Sequence, residues 1–142
     1  MFLVQKEVAD RVTAAAGTPE YGALSIGIQL TARAERLFTV PAGAFHPRPK
    51  VDSAVLRLTP LSEPPVADAE RDSFRALVVG LFGFRRKQML RALRELTGWD
   101  ATRVRGVLAG LAIAETARPE VVRPLDFVRL HRALVDGGWP GR

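Results

Sequence analysis

Apolar positions open the chain as an unbroken run, Met1-Phe2-Leu3-Val4, and then thin to a helical spacing with Val8 and Val12 on one side. An unbroken run predicts a short buried strand inside a parallel sheet, because a strand covered on both faces needs no polar alternation. It would run straight into an amphipathic helix. Such a strand requires a neighbour on each side, so the pattern predicts that the chain is the back part of a larger protein. Gly17-Thr18-Pro19-Glu20-Tyr21-Gly22 reads as a loop. Leu24 to Leu30 reads as a short helix leading into a strand near Glu35–Val40. Pro41 to Pro49 is a proline-stiffened loop, and Val51 to Thr59 is a strand that ends at Pro60. Leu61 to Asp68, with Pro64-Pro65 and two acids, is a linker.

Beyond the linker the spacing is helical throughout. Phe74, Leu77, Val78 and Leu81 fall at i, i+3, i+4 and i+7, and Gly83 interrupts them. Val104, Val107, Leu108 and Leu111 repeat that spacing after a cap at Asp100 or Thr102. A last helix carries Phe127, Leu130 and Leu134 and stops at Gly137-Gly138. The fold class is therefore α/β followed by all-α: a strand-containing part over 1–60, a linker over 61–67 and a helical domain over 68–142.

Composition narrows the chemistry. The 142 residues are 47% hydrophobic and 25% charged, too apolar for a disordered chain. With no cysteine and two histidines, His46 and His131, far apart in sequence, no metal site is expected. No run approaches the roughly 20 apolar residues of a membrane span, and no export signal appears. A cytoplasmic protein without a membrane partner is the expectation.

Charge points to a polyanion. Arg85, Arg86, Lys87, Arg91, Arg94, Arg103 and Arg105 stand against only Glu95 and Asp100 in residues 84–105, so this window holds most of the chain's net charge of +6. Read as a helix over 85–96, the segment places Lys87, Arg91 and Arg94 within a sector of about 60° and Met89, Leu93 and Leu96 roughly opposite. Arg85 and Arg86 sit at the helix start, where the dipole disfavours cations. A solvated charged face is the alternative. The shortage of acids favours RNA or DNA, since solvated faces usually interleave both signs.

Phe45-His46-Pro47-Arg48-Pro49-Lys50-Val51-Asp52-Ser53 is the most distinctive string. Its prolines fix their own φ and bias the preceding residues towards extended geometry. A stiff backbone would hold Phe45 as a stacking platform for a base. On the physics of the loop alone, a core plug is the stronger reading of Phe45, and a polyproline ligand is a third.

Four stretches together resemble the ribosomal RNA small-subunit adenine dimethyltransferases. They are Phe2 to Arg11; Tyr21-Gly22-Ala23-Leu24-Ser25 with Gln29; Val40 to Val55; and Phe82-Gly83-Phe84-Arg85-Arg86-Lys87. The resemblance implies the C-terminal edge, the last three strands, of a class I S-adenosylmethionine-dependent methyltransferase sheet, followed by a small helical RNA-binding domain. It implies methyl transfer to two adjacent adenosines of small-subunit rRNA, with that rRNA or a pre-30S particle as partner. Phe45 would stack on the target adenine, Arg48 and Lys50 would lie beside target-strand phosphates, and Arg85, Arg86, Lys87, Arg91 and Arg94 would bind RNA. The family's glycine-rich cofactor loop, acidic ribose contact and Asn-Leu-Pro-Tyr motif have no match here. The expectation is therefore a fragment that binds no S-adenosylmethionine alone, is inactive by itself and can self-associate through an unpaired strand edge. A non-enzymatic helical nucleic-acid-binding module and a large-subunit rRNA adenine methyltransferase are the alternatives.

Overall fold

A computed structural model describes residues 1–84 and 86–142. The chain divides into two compact units, one formed by Met1–Ala15 with Pro19–Pro64 and the other by Ala16–Thr18 with Pro65–Arg142.

In the first unit, β1 (Phe2–Gln5), β2 (Ala32–Val40) and β3 (Ser53–Pro60) form a sheet in the order β1-β3-β2. Both pairings are antiparallel, with Leu3 opposite Val55 and Arg36 opposite Leu56. The described partner of β1 is thus antiparallel, where the sequence pattern predicted a parallel neighbour. Among the described residues β1 pairs on one side only, and Phe2 and Leu3 are 54% and 56% exposed. The helices α1 (Lys6–Thr13) and α2 (Ala23–Gln29) stand on one face, where Ala9 and Val12 pack with Ala54 and Leu56.

The register of β2 shifts between Arg36 and Phe38, so Phe38 lies opposite Val55 rather than opposite a core position. Side chains alternate across a strand, and one extra residue therefore moves Phe38 to the face away from α1. It is 56% exposed.

A helix leaves its last carbonyls without intrahelical partners. At the end of α1 they are met by side chains from α2. The Ser25 hydroxyl donates to the Arg11 carbonyl, and the Gln29 amide donates to the carbonyls of Val12 at 2.9 Å and Ala14 at 2.8 Å.

The second unit holds α3 (Arg71–Gly83), α4 (Met89–Thr97), α5 (Ala101–Gly110) and α6 (Pro124–Asp136). Most of the predicted stripes form its core: Phe74, Leu77, Val78 and Leu81 on α3, Val104 and Leu108 on α5, and Phe127, Leu130 and Leu134 on α6 are buried, while Val107 and Leu111 are half-buried. A Cβ on Gly80 would stand 2.7 Å from Leu96 Cδ1, so the missing side chain sets how closely α4 approaches α3. Asp100 caps α5 by accepting from the Arg103 N–H at 2.8 Å. Gly98 ends α4 in the left-handed region with φ +75°.

Helix α4 corrects the predicted span of 85–96. It begins at Met89, after a turn through residues 86–88. Gln88 is extended, and the Met89 and Leu90 N–H groups donate to the Ala117 and Glu115 carbonyls at 2.6 and 3.1 Å. Backbone from a segment far along the chain thus satisfies the helix start, and Lys87 lies off the helix.

Candidate nucleic-acid interface

Two surfaces carry the residues singled out by the sequence, one in each unit. The first is the loop between β2 and β3. A single 3-10 turn, Ala42–Ala44, opens it, and Asp52 anchors it by accepting from the Ala42 N–H at 2.9 Å. The Asp52 carbonyl accepts in turn from the Lys6 N–H at 2.9 Å, tying the loop to the start of α1. One carboxylate and one carbonyl thus fix both ends of the proline segment.

Phe45 follows the turn with extended backbone, φ −108° and ψ 153°. Its side chain is half-buried and lies outside the buried core. Arg48 and Lys50 are exposed and make no ion pair among the described residues. The loop therefore presents one partly accessible ring and two cations without a counter-charge.

The second surface is the turn before α4 and the outer side of that helix. Arg85 lies outside the described residues. Lys87 Nζ reaches Glu95 Oε1 at 2.6 Å and sits 4.9 Å from the Phe84 ring centre. Arg91 approaches the same carboxylate oxygen at 3.5 Å. Glu95 consequently titrates below the usual glutamate range, chiefly through its hydrogen bond from Lys87. The ridge is thus less uniformly cationic than the helical-wheel reading suggests: two of its cations share one acid. Arg86 and Arg94 are exposed and form no ion pair among the described residues.

Sequence periodicity also passed over Trp99, which is half-buried between α4 and α5. The Arg103 guanidinium lies 3.5 Å from its ring centre and donates to the Gly137 carbonyl. The sequence signal was a lone tryptophan between a C-cap glycine and an N-cap aspartate, Gly98-Trp99-Asp100.

A third cluster is internal. His131 Nε2 lies 2.7 Å from Ser73 Oγ and its Nδ1 lies 3.9 Å from Glu70 Oε2. A serine, histidine and acid in sequence invites a hydrolytic reading, yet His131 is 2% exposed and Gly141 is packed on Ser73 so tightly that a Cβ there would come within 2.5 Å. Phe74 and Trp139 meet the imidazole edge-on, at 5.6 and 6.5 Å between ring centres. The cluster is a core contact.

No group of three or more His, Cys, Asp or Glu is placed to hold a metal among the described residues. No described helix is long and apolar enough to cross a membrane. In the first unit a cavity of about 380 Å³ is lined by Thr13, Gln29, Ala32, Arg33, Ala34 and Leu61. It offers no carboxylate, and the Gln29 amide nitrogen is already committed to two carbonyls.

Comparison with known proteins gives this geometry a context. The family described as ribosomal RNA adenine dimethylase matches residues 1–129. Ribosomal RNA small subunit methyltransferase A of Nitratidesulfovibrio vulgaris Hildenborough is 46% identical over 134 residues, covering 94% of this chain and 48% of that protein. The protein of the same name from Bordetella petrii is 40% identical over 140 residues, covering 96% of this chain and 50% of its own. The chain thus spans about half the length of the curated relatives it matches. Among solved structures, a dimethyladenosine transferase from Plasmodium falciparum superposes with a TM-score of 0.84 at 21% identity, over 96% of this chain and 57% of that one, a likeness of fold. The 23S rRNA methyltransferase ErmE superposes with a TM-score of 0.64 at 25% identity, over 94% of this chain and 53% of that one. A match running through both the proline loop and the basic segment settles the family: this chain belongs to the ribosomal RNA adenine dimethylases.

Proposed function

We propose that this chain supplies the target-base side and the RNA-binding domain of an rRNA adenine dimethyltransferase, the protein as a whole methylating two adjacent adenosines of small-subunit rRNA. In this reading residues 1–60 are the last three strands of the methyltransferase sheet with their helices, 61–67 a linker, and 68–142 the RNA-binding domain. The observation that carries the proposal is Phe45: a ring left out of the core, on a loop anchored at both ends that also carries two exposed cations without an ion pair among the described residues.

An exocyclic adenine amine is a weak nucleophile because its lone pair delocalises into the ring. Methylating it requires the base to leave its stack and be held rigidly. Phe45 would hold one face of that base, with binding energy from stacking that is tolerant of sequence. Arg48 and Lys50 would then take the adjoining phosphates, fixing register without reading bases. Arg85, Arg86, Lys87, Arg91 and Arg94 would bind the RNA at a second place on the strand.

The methyl donor, S-adenosylmethionine, is supplied elsewhere in this reading. The first-unit cavity does not fit it: ribose hydroxyls and a sulfonium call for acceptors, and no carboxylate lines that space. No step is assigned to the donor within these residues.

Two measurements test the reading. In a longer, methylation-competent form, Phe45→Leu should lower methylation of a small-subunit rRNA hairpin at least tenfold while cofactor affinity holds, because leucine keeps apolar volume and loses the π-face. A fall in cofactor affinity or melting temperature alongside activity would make Phe45 a core plug. With the chain as it stands, Arg86→Ala and Arg94→Ala should each flatten the slope of log affinity against log salt by about 0.7–0.9. Adding Arg85→Ala and Lys87→Ala should flatten it further. An unchanged slope would reduce the ridge to a solvated face.

A further inference from the structure

A cavity of about 330 Å³ opens at the junction of α4 and α5, lined by Arg91, Arg94, Glu95, Gly98 and Trp99. That volume falls within the roughly 300–1,000 Å³ of small-ligand sites. Its wall is built rather than incidental. The Trp99 backbone N–H donates to Thr97 Oγ1 at 3.1 Å, and the Arg103 guanidinium lies 3.5 Å from the centre of its ring. The Asp100 cap fixes the backbone on the next residue. Gly137 leaves room for the indole edge, since a Cβ there would stand 2.9 Å from Trp99 Cη2. Arg103 is not among the residues lining the cavity, so its guanidinium holds the ring without occupying the space.

The chemistry of the rim is graded. Arg94 is exposed and forms no ion pair among the described residues, and Arg91 is 74% exposed with only a 3.5 Å approach to Glu95. Glu95, paired with Lys87, and the carbonyl end of α4, next to Gly98, bring negative charge to another part of the lining. A phosphate is therefore favoured at the arginines and disfavoured beside Glu95 and Gly98. A neutral, flat group with hydrogen-bond donors on its edge suits that part of the lining. Those two requirements, a neutral π-face and an attached phosphate, are met together in a nucleotide. Lys87, whose ammonium is bound to Glu95, joins this cavity to the turn that carries Arg86.

We infer that Trp99 is a base-stacking platform and that the cavity beside it takes one unpaired RNA nucleotide, its base on the indole and its phosphate at Arg94 and Arg91. This rests on the proposed RNA reading and adds to it a site specific for single strands. A duplex keeps its bases stacked on one another and offers no free π-face.

The test is a titration of the 142-residue chain with a labelled single-stranded RNA and with a duplex of the same length at one salt concentration. The single strand should quench tryptophan emission in the parent, and Trp99→Phe should remove that quenching. Trp99→Ala should weaken single-strand binding about 5- to 150-fold, Trp99→Phe should recover much of it, and duplex affinity should stay within twofold. Circular dichroism of both variants separates a lost platform from a lost fold, and Trp99→Phe, which keeps an aromatic ring, covers the case in which the alanine variant unfolds. Equal weakening of single-strand and duplex binding, or unchanged single-strand affinity in folded Trp99→Ala, overturns the platform and leaves the RNA reading intact. If the parent binds neither RNA, both fall together.

Discussion

At the scale of single residues, burial decides which charged or aromatic group is free to act. His131 shows the point from the negative side. Its imidazole is buried against Phe74, Trp139 and Ser73, and burial holds its pKa below the ordinary histidine value, with Glu70 partly opposing. The folded state therefore takes up a proton less readily than the unfolded chain, which binds protons at about pH 6.5. Stability is complete above that pH and declines as pH falls through it towards the lower folded value. Urea unfolding midpoints should drop between pH 7 and pH 5, and His131→Gln should flatten that dependence; a midpoint that is level over this range in the parent would contradict it. Nothing in the sequence marked His131 as buried in a polar contact. It interrupts the apolar stripe of α6, and only the arrival of Ser73 from α3 makes it a satisfied core residue. Phe45 is the reverse case: its motif was legible, and its half-buried position required the fold.

At the scale of elements, helix and strand identities were legible wherever neighbouring residues determine them. The stripes of α3, α5 and α6 read out directly because each apolar face meets the interior of its own unit. The start of α4 was not legible, because the groups that satisfy its N-terminal N–H donors are carbonyls of Glu115 and Ala117. The outward turn of Phe38 was equally hidden, since a bulge depends on pairing register and not on composition. The capping of α1 belongs to the same class of effect, and it can be measured. Gln29 satisfies two carbonyls from one amide. Leucine at that position keeps the volume and leaves both acceptors partly buried without a donor. Gln29→Leu should destabilise the chain by about 1–3 kcal/mol by urea unfolding, whereas Gln29→Glu should do comparable harm by setting a carboxylate against two carbonyls. A neutral Gln29→Leu would mean that water replaces the amide. The motif stretch Tyr21 to Ser25 with Gln29 thus has a structural explanation in the clamp between α1 and α2.

At the scale of the whole molecule, what remains uncovered governs behaviour in solution. On the face of the sheet away from α1, Leu3 stands opposite Val55 and Val55 opposite Phe38, so three apolar side chains form one row across three strands. Leu3 and Phe38 are each 56% exposed. Among the described residues β1 also has one edge without a hydrogen-bonding strand. An apolar face and an open edge together are the conditions under which strands recruit other strands. The net charge of +6 opposes association only at long range, and salt screens that repulsion over roughly 10 Å at 0.1 M. The chain should therefore self-associate, more strongly as salt rises, in sedimentation velocity at micromolar concentration. Leu3→Lys and Phe38→Lys place charge within the row and leave the core face untouched, since both positions point away from Ala54 and Leu56. The double variant should sediment as a monomer with an unchanged melting temperature. Association that persists in it, or that weakens with salt, would locate the contact on the charged surfaces instead and remove the sheet face from the explanation.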